Sequence, residues 1–74
     1  MNVLETVVAV LNSNGINATL EYPGYINVGD KDFGTANEAW GWNDREGVNA
    51  GESTIPSDST DADAIAAYIL SVLK

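Results

Sequence analysis

The sequence predicts an α+β fold in which two helices pack on one face of a three- to four-stranded antiparallel β-meander, in the order α-β-β-β(-β)-α. Apolar residues at helical spacing near both ends predict the helices, and period-two alternation between them predicts the strands. With 74 residues, the chain is expected to form one domain, 1–74. We expect the sheet face without helices to meet water, and a binding function to be found there.

The first helix is predicted over residues 3–13. Its apolar stripe follows the i, i+3, i+4, i+7 pattern, with Leu4, Val7, Val8 and Leu11. Asn2 is a favourable N-cap, with Glu5 three residues later, and Gly15 supplies a left-handed stop. The valines lower the helix propensity of this segment, so a buried strand remains the alternative.

Two strands are predicted next, at residues 16–22 and 25–28, where apolar and polar residues alternate. Pro23 and Gly24 between them fit the centre of a type II turn. Because this turn type matches hairpin twist poorly, the pair alternatively marks a bulge or bend in one longer edge strand.

The second half of the sheet is less clearly patterned. We expect one or two strands between residues 33 and 43, after a turn at 29–32 and before a turn at 44–47. Residues 48–58 are rich in Gly, Ser, Asn and Pro, and we predict a loop there, with at most a short irregular strand around Thr54-Ile55.

The second helix is predicted over residues 60–73. Ser59 or Thr60 is expected to cap it, with Asp61 and Asp63 in its first turn, where carboxylates complement the helix dipole. The apolar stripe consists of Ala62, Ile65, Ala66, Ile69 and Leu73.

The charge balance restricts the partners and the compartment. Eleven Asp and Glu residues stand against three Lys and Arg, and the net charge is −8. Nucleic-acid phosphates and anionic membranes repel such a chain, so we expect neither as a direct partner. Glu5 stands where a signal peptide carries basic residues, and Cys is absent, which together favour the cytoplasm.

Catalysis and metal binding are not expected. Ser and Thr have no His to activate them, Cys is absent, and single scattered glycines form no phosphate loop. The carboxylates of residues 57–63 do not have the spacing of a calcium loop, and helix capping explains Asp61 and Asp63. We therefore predict a protein that is not an enzyme, with no cofactor and no metal site.

Aromatic residues form the first candidate binding surface. Trp40 and Trp42 lie on the same face of a predicted strand, separated by Gly41. They form a binding platform if that face is exposed, and core residues if the helices cover it. Tyr22 and Tyr25 flank the first turn, where they either extend the platform or close the sheet edge.

Carboxylates form the second candidate surface. Helix starts and turns explain five of the eleven acids, namely Glu5, Asp30, Asp44, Asp61 and Asp63. Six acids remain on the sheet and loop side of the predicted fold, where few cations neutralise them: Glu21, Asp32, Glu38, Glu46, Glu52 and Asp58.

These features suggest three functions. The first is a non-catalytic protein-binding module that docks on a basic surface, such as that of a nucleic-acid-processing enzyme, as small bacteriophage accessory and inhibitor proteins do. The second is a small-ligand or carbohydrate-binding domain that uses the Trp and Tyr side chains for stacking. The third is a structural protein that self-associates into a homodimer through an exposed strand.

Overall fold

The computed structural model describes residues 2–21, 24–36 and 38–74. In chain order the elements are α1 (Val3–Ser13), β1 (Ala18–Glu21), β2 (Tyr25–Val28), β3 (Lys31–Ala36), β4 (Ala39–Asp44), β5 (Ala50–Pro56) and α2 (Ala62–Leu73). Within the described residues, the five strands form one antiparallel sheet in the order β1-β2-β3-β4-β5. The predicted α+β arrangement of a meander between two helices is confirmed.

The sheet has one strand more than predicted, because residues 50–56, expected to be mostly loop, form β5. Gly51 pairs with Trp42 of β4, and a side chain at position 51 would overlap the Trp42 indole. The Ser53 hydroxyl donates to the Trp40 carbonyl at 2.8 Å and accepts from the Ile55 amide at 3.0 Å across an irregular register. These interactions with β4 outweigh the weak strand propensity of Gly and Ser.

The helix starts follow local capping chemistry. α1 begins as predicted, because Asn2 Oδ1 accepts a hydrogen bond of 2.9 Å from the Glu5 amide. In α2 the predicted cap was wrong: Asp61, and not Ser59 or Thr60, accepts from the Ala64 amide at 3.1 Å. Ser59 lies two residues before this cap, and its hydroxyl accepts a hydrogen bond of 3.2 Å from the Asp61 amide. No helix among the described residues is long and apolar enough to span a membrane.

The core lies between the helix pair and one face of the sheet, which we call the covered face. Helix and sheet residues form a single buried cluster, consisting of Val7, Leu11, Ala18, Ile26, Phe33, Trp40, Ile65, Ala66 and Ile69. Side chains alternate between the faces along each strand, so the residues between these strand positions point away from the helices. Both helices therefore cover the same sheet face, as predicted.

Candidate functional site: the open face of the sheet

The strand register aligns the side chains opposite the helices in rows, and two of these rows cross all five strands of the described residues. One row contains Glu21, Tyr25, Gly34, Gly41 and Glu52, and the other contains Thr19, Asn27, Asp32, Asn43 and Ala50. These ten residues are called the open face. None of them is Lys or Arg, and none is a buried hydrophobic residue.

Two paired glycines lie at the centre of the open face. Gly34 of β3 and Gly41 of β4 pair directly, so two adjacent strands carry no side chain at this level. A concavity of about 460 Å³ lies over this part of the sheet, lined by Gly24, Tyr25, Asp32, Phe33, Gly34, Thr35 and Asn43. We call it the trough. Tyr25 stands beside its floor, because a Cβ atom at Gly34 would lie 3.2 Å from the Tyr25 Cβ.

Three carboxylates give the open face its charge. Glu21 and Glu52 lie at opposite ends of one row, on the two edge strands, and Asp32 lies in the middle of the other. Four strand spacings separate the edge strands, which corresponds to about 19 Å. Lys31 is on the covered face, where its Nζ atom lies 3.3 Å from Asp30 Oδ1 and 5.6 Å from the centre of the Trp42 ring. The open face thus has negative charge that no cation within it offsets.

The side-chain amides of the open face donate hydrogen bonds to other groups of the protein. Asn27 Nδ2 donates to Asp32 Oδ1 at 2.9 Å and also to the backbone carbonyls of Gly29 and Lys31. Asn43 Nδ2 donates to the Asp44 carbonyl at 3.0 Å. These bonds use the Asn27 donors and one of the two Asn43 donors. The trough therefore presents two acceptors, the second carboxylate oxygen of Asp32 and the side-chain oxygen of Asn43, beside one remaining Asn43 donor.

The fold places the described aromatic candidates on different faces of the sheet. Trp40 and Trp42 share one strand face, as predicted, but it is the covered face. Trp40 is only 1% exposed, so its place in an exposed platform was wrong, and Trp42 is partly buried against the core. Tyr25 is half-buried on the open face, whereas Tyr22 lies outside the described residues.

The remaining candidate carboxylates lie at the ends of the sheet. Glu38 and Asp58 are exposed in the segments after β3 and β5, which are joined by a hydrogen bond of 3.0 Å from the Ser57 amide to the Glu38 carbonyl. Glu46 is exposed in the turn between β4 and β5. The six predicted acids are therefore three on the open face and three in turns.

Asp44, predicted to serve a turn, organises the segment between β4 and β5. Its carboxylate is 8% exposed and accepts from the Val48 amide at 2.9 Å, the Asn49 amide at 3.0 Å and Asn49 Nδ2 at 3.1 Å. Burial raises the pKa of Asp44, but these hydrogen bonds and one from Gly47 together outweigh it and hold the pKa below its ordinary value. Asp44 is a structural carboxylate and is not available to a partner.

Sequence patterns alone did not identify Gly34, Gly41, Asn27 or Asn43 as part of a site. The alternation within each strand indicates which residues share a face, but alignment across strands depends on the register. The signal available in the sequence was the pair of isolated glycines in strand segments, which marks close approach or an uncovered backbone.

Within residues 2–21, 24–36 and 38–74, no three potential ligand side chains lie together in a way that could hold a metal ion. Comparison of the chain with protein-family models, curated proteins and solved structures found no match.

Proposed function

We propose that this protein is a small non-catalytic binding module that docks through its open face on a basic surface of a protein partner. The observation that supports the proposal most is the composition of that face: Glu21, Asp32 and Glu52 with no Lys or Arg. Opposite charge on a partner accelerates encounter and sets orientation, and like charge rejects competitors. Tyr25 adds an amphipathic ring of the type that is enriched in binding hot spots.

A nucleic-acid-processing protein is the partner class that we favour. Such proteins have basic grooves that bind rows of phosphates, and an acidic sheet face competes for the same groove. An accessory or inhibitor role follows, since occupancy of the groove would exclude the nucleic acid. This role matches the acidity and small size of the chain.

The open face is better suited to this function than to carbohydrate stacking. Trp40 is buried and Trp42 packs against the core, so Tyr25 is the aromatic side chain among the ten open-face residues. Self-association through an edge strand remains a separate prediction. Sedimentation velocity over a range of concentrations tests it, and a monomer throughout would remove it.

Two triple variants distinguish the effect of charge on the open face from the effect of net charge. In one, Glu21→Gln, Asp32→Asn and Glu52→Gln neutralise the open face. In the matched control, Glu38→Gln, Glu46→Gln and Asp58→Asn remove the same charge from the turns. The wild type and both variants are immobilised and exposed to native host lysate at about 0.02 M and about 0.5 M salt, where the screening length falls from tens of ångströms to a few.

We expect the wild type and the turn variant to retain the same basic protein at low salt and to release it at high salt. The open-face variant should not retain it. The purified partner is then titrated against all three proteins. Recovery of no partner at low salt would contradict the proposal. Equal loss of partner retention in both variants would show that net charge alone causes the attraction.

A further inference from the structure

We propose that the trough receives an arginine side chain of the basic partner, with the guanidinium against the Tyr25 ring and hydrogen-bonded to Asp32. The inference rests on the proposed function and names the chemical group that the open face recognises. It follows from the shape of the trough, from the polarity of its groups and from its charge.

The shape suits a flat group at the end of a long side chain. The floor is backbone at Gly34, so a ligand can approach the sheet more closely there than it could above a residue with a side chain. The volume of about 460 Å³ exceeds that of one side chain and leaves space for the backbone that carries it. Tyr25 borders this space and offers an aromatic surface on which a guanidinium can stack.

The polarity of the trough favours a ligand that donates hydrogen bonds. Asp32 Oδ1 already accepts from Asn27 Nδ2, and its second oxygen has no hydrogen-bond partner among the described residues. Asn43 Nδ2 donates one hydrogen bond to the Asp44 carbonyl, and the Asn43 side-chain oxygen has no hydrogen-bond partner among the described residues. A guanidinium has five donors and no acceptor, which matches this set. Phosphates offer acceptors and carry negative charge, so the Asp32 carboxylate repels them.

The geometry favours arginine over lysine. Asp32 and Tyr25 lie beside the same glycine floor, so a ligand must satisfy a carboxylate and an aromatic ring together. A planar guanidinium can stack and hydrogen-bond at the same time, whereas an ammonium is compact and strongly hydrated. Among the described residues, Asp32 has no ion pair with a cation, because its neighbour Lys31 pairs with Asp30.

Three short peptides test the assignment: acetyl-Gly-Arg-Gly-amide and its lysine and citrulline counterparts. Citrulline has nearly the shape of arginine without the charge. Each peptide is titrated at low salt into the isotope-labelled full chain, and amide chemical shifts are followed. We expect the arginine peptide to shift Tyr25, Asp32, Gly34 and Asn43 in a saturable way, with smaller shifts for lysine and none for citrulline.

Matched variants locate the binding. Asp32→Asn keeps the acceptor for Asn27 but places an amide donor in the trough, and should weaken arginine binding by about threefold or more. Asp58→Asn removes the same charge from an exposed turn and should not change it. Tyr25→Leu should weaken binding while Tyr25→Phe preserves it, because the ring face is retained. An unchanged spread of amide signals elsewhere confirms that each variant is folded.

Several results would overturn the inference: no shift with the arginine peptide, equal shifts with lysine or citrulline, or equal effects of Asp32→Asn and Asp58→Asn. These outcomes are separate from failure of the proposed function. If only the open-face triple variant fails to retain the captured partner, docking by that face is still supported, even if the trough shows no preference for arginine.

Discussion

The two faces of the sheet are built from the same strands, yet they differ in almost every physical property. The covered face carries Ile26, Phe33 and Trp40, all fully or almost fully buried beneath the helices. The positions between them carry amides, carboxylates, one tyrosine and glycines. Alternation thus separates a face that stabilises the fold from a face whose composition is free to serve binding.

Glycine illustrates the difference most clearly. Gly51 of β5 makes room for the Trp42 indole, so its missing side chain serves packing on the covered face. On the open face, a Cβ atom at Gly41 would lie 2.8 Å from the Gly51 carbonyl oxygen, so Gly41 allows β5 to pack closely, whereas its partner Gly34 lines the floor of the trough. Glycine therefore serves packing at positions 41 and 51 and shapes the candidate site at position 34.

The largest effect is expected from Trp40→Ala on the covered face. Removal of a fully buried indole should cost about 3–5 kcal/mol of unfolding free energy, enough to unfold a domain of this size in mild denaturant. Neutralising Glu21, Asp32 and Glu52 should change stability by less than about 1 kcal/mol, in the stabilising direction, because it relieves repulsion at the surface. Urea unfolding measures both, and comparable losses would contradict the division into two faces.

A smaller effect is expected from matched glycine substitutions. In Gly51→Ala the new methyl would overlap the Trp42 indole nitrogen, so the ring must move, at a cost of about 1–3 kcal/mol. Gly34→Ala places its methyl 3.2 Å from the Tyr25 Cβ, a contact that a shift of a few tenths of an ångström relieves, and should cost less. Urea unfolding with Trp emission compares them. A greater loss for Gly34→Ala would reverse the roles assigned to the two glycines.

Asp44 allows a comparison between a buried carboxylate and exposed ones. Its pKa is lower in the folded than in the unfolded chain, so its contribution to stability is present above about pH 4 and is lost as the pH falls through the folded value. Asp44→Asn should lower the melting temperature at neutral pH and flatten its decline in acid. Asp30→Asn, at a more exposed turn carboxylate, serves as the control. Identical pH profiles for the two variants would show that Asp44 has no special role.

The smallest effect concerns Tyr68 of α2, whose buried hydroxyl has no hydrogen-bond partner among the described residues. Tyr68→Phe should stabilise the protein by up to about 1 kcal/mol, because it removes an unsatisfied group and retains the edge contact with Phe33, with ring centres 6.4 Å apart. Tyr25→Phe on the open face should have little effect. A clear loss of stability in Tyr68→Phe would mean that the hydroxyl has a partner.

Alkaline pH provides a second readout for Tyr68. Burial, with a further contribution from the Glu52 carboxylate, raises the pKa of Tyr68 above its ordinary value. The resulting stability is fully present below about pH 10 and is lost as the pH rises through the folded value. Tyr68→Phe should remove this part of the alkaline decline, as measured by melting temperature against pH.

Local chemistry predicted most of the elements. Asn2 and Gly15 bound α1, and alternation at residues 25–28 matches β2. The prediction failed where an element depends on a distant partner: β5 forms because Gly51 and Ser53 fit against Trp42 and Trp40 of β4. For the candidate site, the sequence indicated Tyr25 and the three open-face carboxylates but not the glycine floor between them.

By itself, the sequence determined the bounds of α1, the alternation of side chains between the two faces of each strand, and the excess of negative charge, because these depend on near neighbours and on composition. Tertiary structure decided that the Trp40 and Trp42 face lies under the helices, and that Gly34 meets Gly41 beside Tyr25 and Asp32. The physical reason is strand register, since pairing between residues distant in sequence decides which side chains become neighbours and which face the helices cover.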